Sequence, residues 1–496
     1  MRRVLTSYLP SIALGAFLAR FFYELDPLRL SFLGDWPGVI ALVVVCLLIT
    51  HYLSRTTHRA PRITLIPLLV LAVYIFWPEV DLRWALVLLI GSLVLVGQDG
   101  ILPCKPRWFD LALAAGVLAL YLLTLGTRVG RADSFEFQVV APQLGIAHPT
   151  GYPLFILIGK LFSLLPLGSM AFRVNLLSAI AATAAVMMVY RTIVRLTADR
   201  LAAAIAALAL AASSVFWSQA VVIEVYTLNA LFVAIILALL MRLIGNWSIS
   251  NWSIGNQSIS YQSTNHQSPI YFLSLVFGLA LSHHLTSVIL IPPMVIALVL
   301  ARPRLPFKSW LIAIGLFFLG LTPWLIIPLR WPGLHNGAAM SIAEWLGWIF
   351  GQRFGGALNL SAWSDPTRWG IISRIVIDQF GVIGALLAAL GFIALIKRAW
   401  RVALITFVTF AGYWFYGLVY NVPDVNVFII PVFVIMAVWL GFGTHWIANL
   451  VESASQRLSE SRTTHHAPRS TYYVLRITCS AAARPHRQQF HVSRSA

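Results

Sequence analysis

Charge is scarce in this chain. Only 10% of its 496 residues are Asp, Glu, Lys or Arg, and the acids are the rarer sign, 17 against 35 bases. With 59% hydrophobic residues, so few ionisable groups cannot cover a water-exposed globule, which excludes ordinary soluble enzymes and binding modules. Cysteine is nearly absent. Cys46, Cys104 and Cys479 are scattered, with Cys46 inside an apolar run, and they form neither a disulfide framework nor a zinc spacing. No His and Asp grouping has a metal-ligand spacing either, so no obligatory metal or other cofactor is expected. The net charge of +18 would suit nucleic acid, but the bases occur as small clusters between hydrophobic segments, as cytoplasmic membrane loops carry them. No nucleic-acid partner is implied.

What the chain does have is long apolar sequence. Mean hydropathy is +0.83, and apolar segments approach the roughly 20 residues that cross a bilayer. They lie near 4–22, 36–53, 63–78, 84–97, 109–126, 173–190, 201–217, 221–242, 270–282, 285–301, 309–329, 370–396, 402–420 and 427–448. The expected fold is an all-α, polytopic integral membrane protein of about 12–14 transmembrane helices. The start, Met1-Arg2-Arg3 before apolar residues, resembles a signal peptide, but no small-residue cleavage site precedes Phe21, and it reads as an uncleaved first helix.

Three regions are expected: residues 1–100, N-terminal spans of unassigned role; 101–450, a membrane domain; and 451–496, a basic disordered tail. Residues 245–268 interrupt the domain with a repeated N-[WQ]-S-I unit. Asn246, Asn251 and Asn256 head N-x-S patterns there, but parity places the insertion in the cytoplasm, where such acceptors are not glycosylated.

With Arg2 and Arg3 inside, basic clusters at 55–62, 105–107, 191–200, 302–308 and 397–401 and the basic tail all fall inside. Both termini are then cytoplasmic, and most acids fall outside: Asp133, Glu136, Glu224, Glu344, Asp365 and Asp424 among them. The segment after Pro153 is short and carries Lys160, so it reads as an amphipathic helix on the outer surface.

Residues 131–153 hold the chemistry-bearing side chains. A charged group beside a membrane span usually faces a cavity, a partner or the interface. Asp133 follows the span 109–126 closely enough for partial desolvation to raise its basicity, which suits proton abstraction. It could equally cap the next helix, with Glu136 three residues on completing a capping box. His148 lies in Gly-Ile-Ala-His-Pro-Thr-Gly-Tyr-Pro, a stiff turn able to hold an imidazole in place, although a lone turn histidine is more often structural. Glu224 and Asp424 could each cap a following helix, and His283 with His284 could simply be interfacial.

These residues carry a resemblance. DSFEF from Asp133, LGIAHPTGYPLF, RVNLLSA (173–179), WSQAVVIEVYTLN (217–229), HHLT (283–286) and YNVPDVNVF (420–428) resemble the protein O-mannosyltransferase-like membrane family of the glycosyltransferase C superfamily. The resemblance implies an enzyme that uses a polyprenyl-phosphate sugar as donor substrate and places an outer-loop acid and an amphipathic helix after its first core span. Asp133 would be the catalytic base and Glu136 its positioning partner. His148, Tyr152, Glu224, His283, His284 and Asp424 would line the substrate site. The departing phosphate calls for arginine, and Arg128, Arg131, Arg330, Arg353 and Arg368 lie on the expected face, with Arg131 and Arg330 the main candidates. Trp331, Trp345, Trp348, Trp363 and Trp369 enrich the outer loop and suit an aromatic belt or a sugar platform.

The expected function is transfer of a sugar, mannose by the family's name, to an extracytoplasmic hydroxyl on a protein, glycan or lipid, at the plasma membrane if the source is a bacterium. The alternative is a transporter or flippase of a lipid-linked or small polar solute. Transporters tend to hold ionisable groups mid-bilayer and to repeat internally; here the acids gather at one interface and no half is duplicated.

Overall fold

A computed structural model describes residues 11–20, 38–47, 71–75, 92, 106–245, 267–351 and 356–463. The expected spans near 63–78 and 84–97 and the insertion at 246–266 lie largely or wholly outside these residues. Among the described residues all regular structure is helical, apart from one isolated bridge between Leu358 and Tyr420. The chain separates into two units, 1–450 and 451–496; of the second, the described part, 451–463, is helical.

Short helices at Ser11–Arg20, Gly38–Leu47 and Leu71–Ile75 precede the main series. That series comprises α1 (Pro106–Leu123), α2 (Ala132–Gln143), α3 (Pro153–Ser163), α4 (Met170–Thr197), α5 (Arg200–Ala212), α6 (Ser214–Ala220), α7 (Tyr226–Leu243) and α8 (Gln267–His283). After a 3-10 turn at Leu285–Leu290 come α9 (Ile291–Ala301), α10 (Phe307–Leu321), α11 (Ile326–Leu334), α12 (Ile342–Ile349), α13 (Pro366–Arg398), α14 (Trp400–Val419), α15 (Val425–Phe428) and α16 (Ile430–Thr463). Six helical stretches among the described residues are long and apolar enough to cross a bilayer, and seven if α5 and α6, bent by 69° at Ser213, form one span.

Local chemistry sets several boundaries. The Ser169 hydroxyl accepts from the Phe172 N–H and starts α4; the Asp199 carboxylate accepts from the Ala202 N–H and starts α5. Helices α7 and α16 are central and largely buried, whereas α10 with α11 and α13 are mostly exposed and turn Phe318, Val382 and Ile383 outward, as lipid-facing helices do.

The two ends of the bundle differ in character. At one end Arg191 of α4 pairs with Asp110 of α1 at 3.6 Å, and Asp199 meets His445 Nδ1 at 2.8 Å. At the other, Asn175 near the start of α4 donates to the Gly126 carbonyl at 2.7 Å. From Asn175 to Arg191 α4 rises roughly 24 Å at 1.5 Å per residue, which keeps the two sets at opposite ends of the bundle.

Candidate active site

The site grows from α2 and the loop behind it. Chain entry is fixed by a buried polar knot: Gly130 N–H donates to Gln138 Oε1 (2.8 Å), Gln138 Nε2 donates to Asn175 Oδ1 (3.2 Å), and that oxygen also accepts from Ile223 N–H (2.9 Å). The knot sets α2 against α4 and the 221–225 segment. Ser134 then donates to Glu224 Oε1 at 2.6 Å, while the Ser178 hydroxyl accepts from the Glu224 N–H (3.1 Å) and donates to the Glu224 carbonyl (3.2 Å).

The capping alternative for Asp133 does not hold. Arg131 occupies the N-cap, with no side-chain cap, and Asp133 lies within the first turn. Glu224 and Asp424 make no side-chain cap either: the N-cap of α7 is Val225, and Asp424 precedes α15 without capping it. Asp133 and Glu136, three apart, share one face of α2. His148 bridges them. Its N–H donates to Glu136 Oε1 (2.8 Å), its Nδ1 lies 2.5 Å from Glu136 Oε2, and its Nε2 lies 4.0 Å from Asp133 Oδ2.

Burial raises the Asp133 pKa; His148 opposes the rise, and Glu136 and Asp424 add to it. Burial acts the same way on Glu136, but hydrogen bonds and charge from His148 prevail and hold it below the usual carboxylate range. For His148 burial favours the neutral ring, yet Glu136, with help from Asp133 and Glu224, raises its pKa. Burial pushes Glu224, in the loop before α7, up to about 7, against the Ser134 hydrogen bond. Two neighbouring carboxyls are thus driven up and a third down, the divided behaviour found where acid and base roles separate.

The His148 loop is stiff for identifiable reasons. Gly151 has φ +84°, and its N–H donates to the His148 carbonyl at 2.6 Å. A Cβ there would lie 2.8 Å from Ile327 Cδ1 and 3.1 Å from Trp348 Nε1. Tyr152 follows at φ +44°, and Pro153 opens α3, whose Phe155 and Ile156 are buried while Leu161 is exposed. That two-faced helix is the one expected from sequence. The Tyr152 ring stands edge-on to Phe137 (5.6 Å) and His148 (5.3 Å).

Glu136, His148, Tyr152, Glu224 and Asp424 surround Asp133 through these contacts and their mutual fields, and His284 joins them through the Tyr152 ring, 5.8 Å away. His283 stands one layer back, its Nε2 2.8 Å from the Val225 carbonyl and its ring between Phe155 and Phe232. Arg330 lies at the far end of α2, donating to the Leu144 carbonyl at 2.8 Å; Lys160 meets the Pro142 carbonyl at 2.6 Å, so both cations complement that helix terminus. Arg368 binds the carbonyls of Gly417, Leu418 and Tyr420. Arg131 and Arg128 are exposed beside the start of α2, and Arg353 is outside the described residues. Trp331 stacks on His335 at 3.7 Å and meets Trp348 edge-on.

Asp133, Glu136 and His148 also bring one ligand atom each within 4.8 Å of one another, a set able to hold a divalent cation that spacing along the chain does not reveal. Sequence reasoning also passed over Ser134, Tyr226, Tyr420 and Phe428. The last three sit inside the motifs VIEVYTLN and YNVPDVNVF, each within four residues of an acid.

Residues 133–306 match the family described as protein O-mannosyl-transferase TMEM260 N-terminal domain. Protein O-mannosyl-transferase TMEM260 of Mus musculus is 38% identical over 134 residues, covering 27% of this chain and 19% of that protein. Over that region the chain is similar to protein O-mannosyl-transferases. The Dictyostelium discoideum protein O-mannosyl-transferase tmem260 is 24% identical over 297 residues, 56% of this chain and 35% of that one. The chain thus matches about a fifth to a third of the length of these relatives. Among solved structures, ArnT from Cupriavidus metallidurans bound to undecaprenyl phosphate matches over 71% of this chain and 63% of its own, at TM-score 0.45 and 13% identity. The archaeal oligosaccharyltransferase AglB from Archaeoglobus fulgidus covers 74% and 53%, at TM-score 0.42 and 11% identity.

Proposed function

We propose that this protein is a membrane glycosyltransferase that moves mannose from a polyprenyl-phosphate carrier to a hydroxyl acceptor outside the cytoplasm, with Asp133 as general base. The observation that carries the reading is the division of labour around His148. Glu136 binds both His148 nitrogens that face it, backbone N–H and Nδ1, and stays ionised, whereas Asp133 remains accessible, with its side chain 52% exposed and a raised pKa. Such a carboxylate is a better proton acceptor than an ordinary aspartate.

In the step itself the acceptor oxygen bonds to the anomeric carbon, the bond from that carbon to the phosphate oxygen breaks, and the electron pair leaves with the polyprenyl phosphate. Asp133 takes the acceptor's proton. Arg131, exposed at the start of α2, meets the charge that develops on the leaving phosphate. Because Asp133 lies in the first turn of a short helix and Glu224 and Asp424 stand just before α7 and α15, not within a long apolar helix, transfer chemistry is favoured over a transporter or flippase.

Asp133→Asn tests the base. Asp133 caps nothing, so the variant is expected to insert and melt like wild type while transfer from radiolabelled polyprenyl-phosphate mannose falls on the order of a hundredfold or more. Near-normal turnover would move the base elsewhere.

A further inference from the structure

His284, between α8 and the following 3-10 turn, holds a proton with nowhere to go. The Thr286 N–H donates to its Nδ1 at 3.3 Å, with Thr286 Oγ1 at 2.7 Å from the same nitrogen. A backbone amide can only donate, so Nδ1 is the bare nitrogen and the neutral ring carries its proton on Nε2. The ring is 5% exposed, and among the described residues Nε2 has no hydrogen-bond partner. Buried donors are nearly always paired, because an unpaired one forfeits its hydration with no return.

The surroundings of the His284 ring are aromatic and lie in the field of nearby carboxyls. Tyr152, Tyr226 and Phe428 stand 5.8, 5.9 and 6.2 Å from the His284 ring, and Tyr226 meets Phe428 edge-on at 5.2 Å. Tyr152 connects this group to His148, and Asp133, Glu224 and Asp424 act electrostatically on Tyr226, the first two on Tyr152 as well. A phosphate is repelled by that field. A neutral polyol is not: its C–H faces pack on rings, and its hydroxyls donate to carboxylates and accept from an N–H.

We propose that Tyr152, Tyr226 and Phe428 form the subsite for the donor's sugar ring, with the His284 Nε2–H donating to one of its hydroxyl oxygens. The inference rests on the transferase reading and adds to it which part of the donor lies here and which atom orients it.

The test uses the full chain in lipid nanodiscs and two probes, polyprenyl-phosphate mannose and bare polyprenyl phosphate. His284→Phe keeps an aromatic ring and removes the donor; His284→Gln restores an N–H near the position of Nε2. The Phe variant is expected to bind the mannosyl lipid about tenfold more weakly, about 1.4 kcal/mol, with bare-lipid affinity and melting temperature unchanged. KM should rise more than kcat falls, and Gln should recover most of the loss. Equal weakening toward both lipids, or none toward either, would overturn the sugar subsite. Should the Phe variant fail to fold, the Gln variant decides: wild-type selectivity for the mannosyl lipid supports the subsite and loss of that selectivity overturns it. Wild type that binds neither lipid would instead sink the transferase reading.

Discussion

Glu224 carries a prediction that separates its titration from catalysis. Its folded pKa of about 7 stands above the ordinary 4.5 because burial penalises the charge. A raised carboxyl contributes stability that is fully present below the unfolded value and is lost as pH rises through the folded one. Wild type should therefore lose unfolding temperature relative to Glu224→Gln between about pH 4.5 and pH 7, with the gap constant beyond; Gln still accepts from Ser134. A difference that does not change with pH would mean that Glu224 is charged throughout. The same residue marks how far the sequence could be read. Asp133, Glu136 and His148 were legible as a polar islet in an apolar chain, but that Glu136 is spent on His148, leaving Asp133 open, depends on a loop folding back twelve residues. The Asp133 and Glu136 spacing also fits a capping box. It failed as one because the chain enters α2 two residues earlier, where the Gln138 and Asn175 knot holds it.

At the scale of elements, apolar length alone announced α4, α7, α10 with α11, α13, α14 and α16 as spans, since each helix satisfies its own backbone and needs only about 20 apolar residues, whereas α8 and α9, of 17 and 11 residues, fall short of that length. Their breaks were not visible, because they depend on neighbours. Gly381 interrupts α13 at φ +65°, and α5 and α6 part by 69°. Close approach was equally hidden. A Cβ at Gly391 of α13 would lie 1.8 Å from the Trp439 carbonyl, and one at Gly443 of α16 would lie 1.9 Å from the Leu387 carbonyl, so the two backbones touch through glycine on both sides. Gly391→Ala should force them apart at a cost of about 1–3 kcal/mol, read as a lower unfolding temperature in detergent. Gly315→Ala, where a Cβ meets nothing within 4 Å, is the control and should melt like wild type. Equal melting of the two variants would show that the α13 and α16 contact is slack.

For the whole molecule, charge parity made a claim that the fold makes more pointed. Every long-range contact of the site joins ends that the parity puts outside: Gly126 to Val221, Ser134 to Glu224, Arg330 to Leu144, and His284 to Tyr152. The contacts from Asp110 to Arg191 and from Asp199 to His445 join ends that it puts inside. Loop charge and helix packing are independent quantities, and they agree in sorting these contacts onto two opposite ends of the bundle. Impermeant thiol labelling of intact cells reads which of the two ends is external. With Cys46, Cys104 and Cys479 replaced, a cysteine at Val129, 69% exposed before α2, should label from outside, and one at Ser258 in the insertion should label only after permeabilisation. Labelling of both from the same side would break the parity of crossings between α2 and the insertion. Labelling of Ser258 alone would keep the parity but turn the site toward the cytoplasm, where a polyprenyl-phosphate sugar would meet a different set of acceptors.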